Sequence, residues 1–482
     1  MLSDSAQIST TSHPLPDGTV YSAAKGYRPF SVPPIEAYAR VVGAEKMERL
    51  FGLADKLKGL KLLEMNATAV GGGVAEMLHS SIPFLESVGI DVEWRVVRGG
   101  REYYEVTKKL HNMLQGMQGS FTPEMEATYF STLEASCRLS PIVPGVDVLV
   151  SHDPQPLGLP CFLDRTDTVW LWRCHLDIEE EALRENFRVW RFVTDWIQRY
   201  DAAIFSAAHY VVSQWPLPKF IIPPFIDPLS DKNRELGELE IQRVLDKYQI
   251  DSRVPMITQI GRFDPWKGLY RTINTFRLVR RERKCQLILA GGMAADDPEG
   301  ERILEDIYRM TRDDEDVHVL LLPLGDRKEN YLEVNALQRA ASIIMQPSTR
   351  EGFGLVVTEA LWKRKPVIAA DVGAMPLQVM DGYTGYFYET PHRTARRIIS
   401  LLDRPKVGAR MGERGRIYVE EHFLMPDRIA DYLATIDMTM NLARNNKIPK
   451  ESIVSFHPWT KLVKRRSRRL PSSNGGENDF QL

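Results

Sequence analysis

The sequence predicts an α/β protein with two Rossmann-like, doubly wound domains facing each other across a cleft. Three observations carry that expectation. From Gly59 onward, short apolar runs alternate with segments of helical period, the pattern of repeated βαβ units around parallel sheets. The stretch at 221–230 (Ile-Ile-Pro-Pro-Phe-Ile-Asp-Pro-Leu-Ser) holds three prolines and suits an extended inter-domain crossing better than a helix. A second alternating series follows it, and 482 residues at roughly 150 per domain leave room for two or three cores.

Residues 1–34 are rich in Ser, Thr, Pro and Gly and lack an apolar h-region, so they read as a flexible N-terminal segment rather than a secretory signal. The first domain is expected over 35–227. In it 61–66 reads as a buried strand, 68–73 as a turn, 74–88 as a helix stopped by Gly89, and 92–97 as the next strand, with further strands at 146–150, 169–173 and 202–206. The second domain is expected over 228–420, with strands near 256–261, 286–290, 317–322, 342–346 and 367–370. Residues 421–450 read as a C-terminal helix returning to the first domain. Residues 451–482 carry Lys461, Lys464, Arg465, Arg466, Arg468 and Arg469 and read as a basic, disordered tail. A weak tether to anionic lipid or nucleic acid, helped by Phe456 and Trp459, is the alternative there.

Composition narrows the function classes. Lys and Arg total 62 against 64 Asp and Glu, a net charge of −2, so no global positive field advertises a nucleic-acid or membrane partner. No apolar run approaches the roughly 20 residues of a membrane span. Cys137, Cys161, Cys174 and Cys285 are scattered without a Cys-x-x-Cys pair, which excludes an evident zinc site or disulfide framework and fits a reducing cytoplasm.

Open parallel sheets bind ligands outside the carboxyl ends of their strands, and each candidate residue follows such an end. Gly71-Gly72-Gly73 lets backbone N–H groups and a helix N-terminus approach an anion, though a tight strand-to-helix turn explains it equally. Arg262 and Lys267 share the loop Gly261-Arg-Phe-Asp-Pro-Trp-Lys-Gly268. Two cations that close repel unless an anion lies between them; a diphosphate would satisfy both, with Asp264 as the alternative partner. Glu351-Gly-Phe-Gly354 leads into a helix expected at 355–363 that contains Glu359. Taken as one helix at about 100° per residue, the two carboxylates are offset by roughly 80° and can face one elongated, hydroxyl-rich ligand; a capping Glu and a solvated Glu is the plainer reading. His152-Asp-Pro-Gln-Pro156 and Trp172-Arg-Cys-His175 place two His and an Asp on one rim, a polar pocket for a sugar unless each His is structural. Asp314-Glu315-Asp316 has Asp-x-Asp spacing but precedes a strand, at the wrong sheet end for a cleft metal. Neither His-Glu-x-x-His nor Gly-x-Ser-x-Gly occurs.

The Glu351-x7-Glu359 pair, the Gly-Arg-Phe-Asp-Pro-Trp-Lys loop and the Gly-rich first turn, in this order, resemble the retaining family-four glycosyltransferases of the GT-B fold, from Ile35 to Ile436. The stretches at 66–79, 106–116, 152–156 and 226–233 are similar to the trehalose glycosyltransferring synthases. Those enzymes join a nucleoside-diphosphate glucose to glucose, reversibly, giving α,α-trehalose with retention at the donor carbon. Trehalose phosphorylases, which use glucose 1-phosphate, share much of the pattern and are the nearest rival. A non-catalytic sugar-nucleotide-binding regulator is a third reading, disfavoured because Arg262, Lys267, Glu351 and Glu359 are all present.

The resemblance implies that Arg262 and Lys267 hold the donor diphosphate and stabilise the leaving charge. Gly72 and Gly73 would lend N–H groups to the same phosphates. Glu351 would contact the donor glucose and Glu359 the ribose, while the backbone of Gly352, Phe353, Gly354 and Leu355 closes over the sugar and 322–324 flanks the base. His175 would sit at the reacting end. His152, Asp153 and Gln155 would build the acceptor pocket, with Asn112 and Gln115 as further acceptor candidates that could equally cap a helix. Arg262, Lys267, Glu351 and His175 form the expected catalytic set. A covalent intermediate would want a carboxylate at the anomeric carbon, and only Glu351 and Asp153 are candidates. A front-face substitution, in which the leaving phosphate takes the acceptor proton, suits the residues better and calls for no metal or other cofactor. Residues 178–184 are acidic where the family pattern has a small Ser/Pro loop. Base preference, acceptor beyond a glucose-like sugar, physiological direction and oligomeric state, a homodimer included, stay open.

Overall fold

The computed structural model describes residues 32–69, 72–139, 145–163, 167–292, 298–323, 326–445 and 452–457, together with three short strands nearer the N-terminus. The strands of the first half are β1 (His13–Pro14), β2 (Val20–Ser22), β3 (Gly26–Arg28), β4 (Lys61–Asn66), β5 (Asp91–Val96), β6 (Val148–His152), β7 (Val169–Cys174), β8 (Ala202–Phe205) and β9 (Lys219–Ile221). The second half holds β10 (Met256–Ile260), β11 (Gln286–Gly291), β12 (Val317–Leu321), β13 (Ile343–Gln346), β14 (Val367–Ala369) and β15 (Gly385–Phe387), and β16 (Ile453–Ser455) ends the series. Strands β6, β7, β8, β10, β11 and β13 are buried along their whole length, as parallel strands covered by helices on both faces must be.

The first sheet runs β1-β2-β3-β5-β4-β6-β7-β8-β9-β16 and the second β12-β11-β10-β13-β14-β15. Among the parallel strands of each, the order turns back between β4 and β6 and between β10 and β13, where parallel ladders join neighbours from opposite directions. Such switch points open a crevice at the carboxyl ends of the strands. Gly72 follows β4, His152 ends β6, Arg262 follows β10 and Glu351 follows β13. Topology therefore aims the loops that carry the candidate residues at one cleft. The buried cluster of the first half continues through Phe353, Val357, Leu361 and Met375 of the second, so the two halves share packed surface beneath that cleft.

Several expectations need correction. β9 runs into the Pro-rich crossing at Ile221, where the prolines that follow cut its apolar run short, and β15 follows the last expected strand. The N-terminal segment contributes β1–β3, and β3 pairs with β5. Within the segment read as a disordered tail, β16 adds a parallel strand beside β9, and Phe456 stacks on Phe220 at 6.4 Å. Lys461, Lys464, Arg465, Arg466, Arg468, Arg469 and Trp459 lie outside the described residues. Among the described residues no helix is long and apolar enough to cross a membrane.

The helix Met425–Asn445 lies against the helix Ala44–Lys56 of the first domain, where Arg49 Nη1 donates to Asp427 at 3.2 Å and Nη2 to Asp431 at 2.7 Å. Arg428, fully buried, pairs with Asp431 at 2.9 Å and with Asp427 at 2.5 Å, and His457 just after β16 reaches the same Asp431 at 3.0 Å. A buried charge that loses its partner is costly. Replacing Arg428 by Ala is expected to destabilise the protein by about 3–5 kcal/mol, read from the urea midpoint. A change below about 1 kcal/mol, the range of exposed pairs, would mean that this cluster does not hold the returning helix.

Candidate functional site

The loop after β10 is built from below. Gln259, 1% exposed on β10, donates from Nε2 to the Lys267 carbonyl at 2.7 Å and accepts from Thr272 Oγ1 at 2.6 Å. Asp264 caps the single turn Pro265–Lys267 by accepting the Trp266 N–H at 2.8 Å, and Thr349 N donates to the Trp266 carbonyl at 2.7 Å. The loop is thus pinned to both β10 and the segment after β13. Held this way, Lys267 Nζ donates to Glu351 Oε2 at 2.7 Å, an oxygen that also accepts from Ser348 Oγ at 3.3 Å. Arg262 is more than half exposed and meets Asp264 only at 3.4 Å. It faces His111 of the opposite domain, whose imidazole is pushed down to about 4 by burial and then by the Arg262 charge.

The opposing rim comes from β6 and β7. Asp153 takes a positive φ of 63°, which Asp tolerates better than most residues, and its Oδ1 accepts the His175 N–H at 2.7 Å. Loss of hydration raises this carboxyl to about 7, against the pull of the His175 N–H and Arg173. His152 Nδ1 lies 2.9 Å from His175 Nε2 with the rings nearly parallel, and His152 Nε2 lies 2.7 Å from Glu64 Oε2. Burial, then Arg173 and His152, hold His175 well below the ordinary histidine range. The Gln155 carbonyl accepts from Tyr103 Oη at 2.6 Å, while its side-chain Oε1 is buried with no partner among the described residues. Gln115 spends its side chain on Asp177 and its carbonyl on Arg350. Asn112, in the last turn of the helix Arg101–Leu114, has its carbonyl on the Met117 N–H at 3.0 Å.

The two rims touch through backbone. Tyr210 Oη donates to the Gly352 carbonyl at 2.5 Å, and a Cβ on Gly352 would stand 2.9 Å from the His175 carbonyl. Gly373, at φ 55°, leaves the room that Glu351 O occupies, since a Cβ there would lie 1.7 Å from that oxygen. Gly73, at the start of the helix Gly73–Ser87, comes within 3.5 Å of Leu355 by the same measure, with Gly72 as the cap before it. Glu351, Gly352, Gly354, Leu355, Lys267, His175, Gly72 and Gly73 are therefore brought to one place. Phe353 instead buries its ring against Phe423, and its carbonyl accepts from Gln378 Nε2.

Glu359 is the exception. Its side chain is fully buried, with Oε1 on Lys232 at 2.8 Å and Oε2 accepting from Gln338 at 3.1 Å; Lys232 also donates to Glu76 of the first domain at 2.8 Å. Burial works to raise Glu359, but Lys232 and Lys363 outweigh it and hold the carboxyl below its usual range. The expected alignment with Glu351 fails because the helix is Leu355–Trp362 and Gly354, at φ 82°, breaks the chain before it. The wheel angle holds only for an unbroken helix. Asp314 and Asp316 pair with Arg277 and Arg280 at the amino end of β12, away from the cleft. Leu322 is buried beside Gly291, and Leu324 lies outside the described residues.

Sequence reasoning passed over Glu64, Tyr432, Lys232 and Tyr210. Glu64 carried a signal, a lone acid within an apolar strand; Lys232 lay inside a quoted motif without an assigned role.

Comparison with known proteins places this geometry. Residues 64–212 match the family described as "Trehalose synthase, N-terminal domain" and residues 240–418 that described as "Glycosyl transferases group 1". The chain is 40% identical over 402 residues to the trehalose synthase of Pyrococcus horikoshii, spanning 83% of this chain and 95% of that one. It is 35% identical over 403 residues to the trehalose synthase of Rubrobacter xylanophilus, spanning 82% and 94%. A trehalose phosphorylase of Pleurotus pulmonarius is 30% identical over 399 residues, but only 53% of its length is covered. Among solved structures, an α,α-trehalose-phosphate synthase (UDP-forming) from Burkholderia xenovorans superposes with a TM-score of 0.62 over 79% of this chain and 100% of that one, at 13% identity. That likeness is one of fold, and the fold is GT-B.

The Asp153 corner gives a prediction with a definite sign. A carboxyl whose folded value is about 7 stays protonated in the native state where the unfolded chain, at about 3.9, has already ionised. Its contribution to stability is therefore lost as pH rises from roughly 4 to 7. Asp153→Asn keeps the acceptor oxygen and tolerates the positive φ, so its stability should depend less steeply on pH across that window. Asp153→Ala should lose the same pH dependence, so its cost relative to the parent should shrink as pH rises from roughly 4 to 7. Thermal unfolding of the three proteins between pH 4 and 8 checks this; parallel curves for Asn and parent would contradict it.

Proposed function

The chain belongs to the trehalose synthase family of group 1 glycosyltransferases, and we propose that it transfers glucose from a nucleoside-diphosphate glucose to free glucose, making α,α-trehalose reversibly with retention at the donor carbon. The observation that carries this reading is the 2.7 Å contact of Lys267 with Glu351, placed where Gly352 meets the backbone of His175. A handle for phosphate and a handle for hydroxyls then lie side by side at the seam between the domains.

In this reading the diphosphate takes the Lys267 ammonium and the Arg262 guanidinium, which Asp264 holds only at 3.4 Å, with N–H groups of Gly72 and Gly73 opposite. Glu351, released from Lys267, accepts from hydroxyls of the donor glucose. His175 faces the reacting end, and Asp153, Gln155 and Asn112 line the acceptor side, where the unpartnered Gln155 oxygen is available to a sugar hydroxyl. Glu359 takes the ribose hydroxyls when Lys232 shifts toward Glu76, which already holds the same ammonium. The bond from the anomeric carbon to the phosphate oxygen breaks as the acceptor oxygen bonds to that carbon on the same face. The acceptor proton passes to the leaving phosphate oxygen, and the cationic pair stabilises the charge that develops there. Four free cysteines fit a cytoplasmic setting for this chemistry.

The purified protein is expected to form trehalose from glucose and at least one of ADP-, UDP- or GDP-glucose. No trehalose from any donor, or phosphate-dependent cleavage of trehalose to glucose 1-phosphate without nucleotide, would overturn the assignment in favour of a phosphorylase. Arg262→Ala and Lys267→Ala should each lower the transfer rate roughly 10²- to 10³-fold. Near-parental rates in both would remove the diphosphate role.

A further inference from the structure

Glu64 is a buried acid that the transfer chemistry above does not use. It sits on β4 at 2% exposure, flanked by the buried apolar Leu62, Leu63 and Met65, and a carboxylate in such a place must accept hydrogen bonds to remain ionised. Two donors reach it from distant parts of the chain. Tyr432, on the helix Met425–Asn445, donates from Oη to Oε1 at 2.8 Å, and His152 Nε2 lies 2.7 Å from Oε2. An ionised carboxylate only accepts, so the proton between Glu64 and His152 belongs to His152 Nε2.

That assignment propagates along the pair of imidazoles. A neutral His152 protonated at Nε2 has a bare Nδ1, which stands 2.9 Å from His175 Nε2. His175 must then carry its proton on Nε2 and leave Nδ1 bare. Nδ1 of His175 meets no hydrogen-bonding group among the described residues, and His175 is partly exposed at the seam. The charged and titratable groups around the pair are Glu64 on β4, Asp153 after β6, Arg173 on β7 and Tyr432 on the C-terminal helix, with the Arg173 guanidinium 5.3 Å from the Tyr432 ring centroid. Burial, with the Arg173 charge beside the pair, holds the His175 imidazole well below the ordinary histidine range.

We propose that Glu64, backed by Tyr432, is a positioning residue that acts through His152 to fix His175 in the Nε2–H tautomer, so that His175 Nδ1 offers the sugar a hydrogen-bond acceptor and not a donor. The ligand group it selects is a hydroxyl rather than a phosphate oxygen. The inference rests on the reading of His175 as a sugar-facing residue, and it also makes a claim about the protein without substrate.

The test is 15N–1H correlation through the ring nitrogens of histidine-labelled full-length protein, with His175 assigned by its loss in His175→Asn. His175 is expected to show a protonated Nε2 and a bare Nδ1. A protonated Nδ1 on His175 in the parent protein overturns the inference, whatever the activity. In Glu64→Leu the His175 signals should shift to the other tautomer or to a mixture, and kcat should fall roughly ten- to hundredfold, the range for partners that orient a functional imidazole. Affinity for the nucleoside diphosphate alone should stay within about twofold, and Glu64→Asp should restore the parental ring pattern. Unchanged His175 signals in a folded Glu64→Leu would also overturn it. If Glu64→Leu does not fold, the parental spectrum and that of Tyr432→Phe decide, the latter expected to loosen the tautomer preference. Should no donor yield trehalose while the tautomer is as expected, the function fails and the relay stands. A transferring enzyme with Nδ1 protonated on His175 fails the relay alone.

Discussion

An ammonium and a carboxylate from two neighbouring strand ends meet at 2.7 Å, and most of the cleft is arranged to let Lys267 reach Glu351. The contact needs β10 and β13 side by side with their carboxyl ends in register, which the switch in strand order supplies. It also needs a rigid loop after β10, which Gln259 and Asp264 supply from below and within. A flexible lysine in water gains little from one exposed acid. Here both partners are mostly withdrawn from solvent, at 18% and 13% exposure, so the pair is a preformed polar site and not a surface ornament.

The second constraint is the seam. Tyr210 and the backbone of His175 come from one domain, and Gly352 and Gly373 from the other. Side chains at those two glycines would push the domains apart or displace Glu351, so the close approach is encoded by absence of side-chain volume. Lys232 joins Glu76 to Glu359, and Arg49 of the first domain reaches Asp427 and Asp431 of the returning helix, the same acids that Arg428 pairs with along that helix. Buried charges of this kind hold one geometry, because each leaves an uncompensated partner if it moves.

Much of this was legible in the sequence. The long buried strands announced themselves as apolar runs, and the loops bearing Arg262, Lys267 and Glu351 followed them as expected. What escaped notice had physical reasons. β9 is cut off by Pro223 and Pro224, and β15 and β16 are three-residue strands led in by the polar Thr384 and Ser452. Glu359 was set beside Glu351 by an angle that presumes an unbroken helix, and one left-handed glycine invalidates it. Glu64 and Tyr432 are 368 positions apart, and no local pattern reveals such a pairing. The Arg277 and Arg280 partners of Asp314 and Asp316 are likewise a tertiary fact.

The central claim is that the Lys267 and Arg262 side chains neutralise the diphosphate of the sugar donor while Glu351 grips its hexose. A crystal structure with an intact nucleoside-diphosphate glucose tests it most directly. The account predicts phosphate oxygens within hydrogen-bond distance of both cations and glucose hydroxyls on Glu351. A donor lodged elsewhere, with Lys267 still on Glu351 and Arg262 turned to solvent, would contradict it.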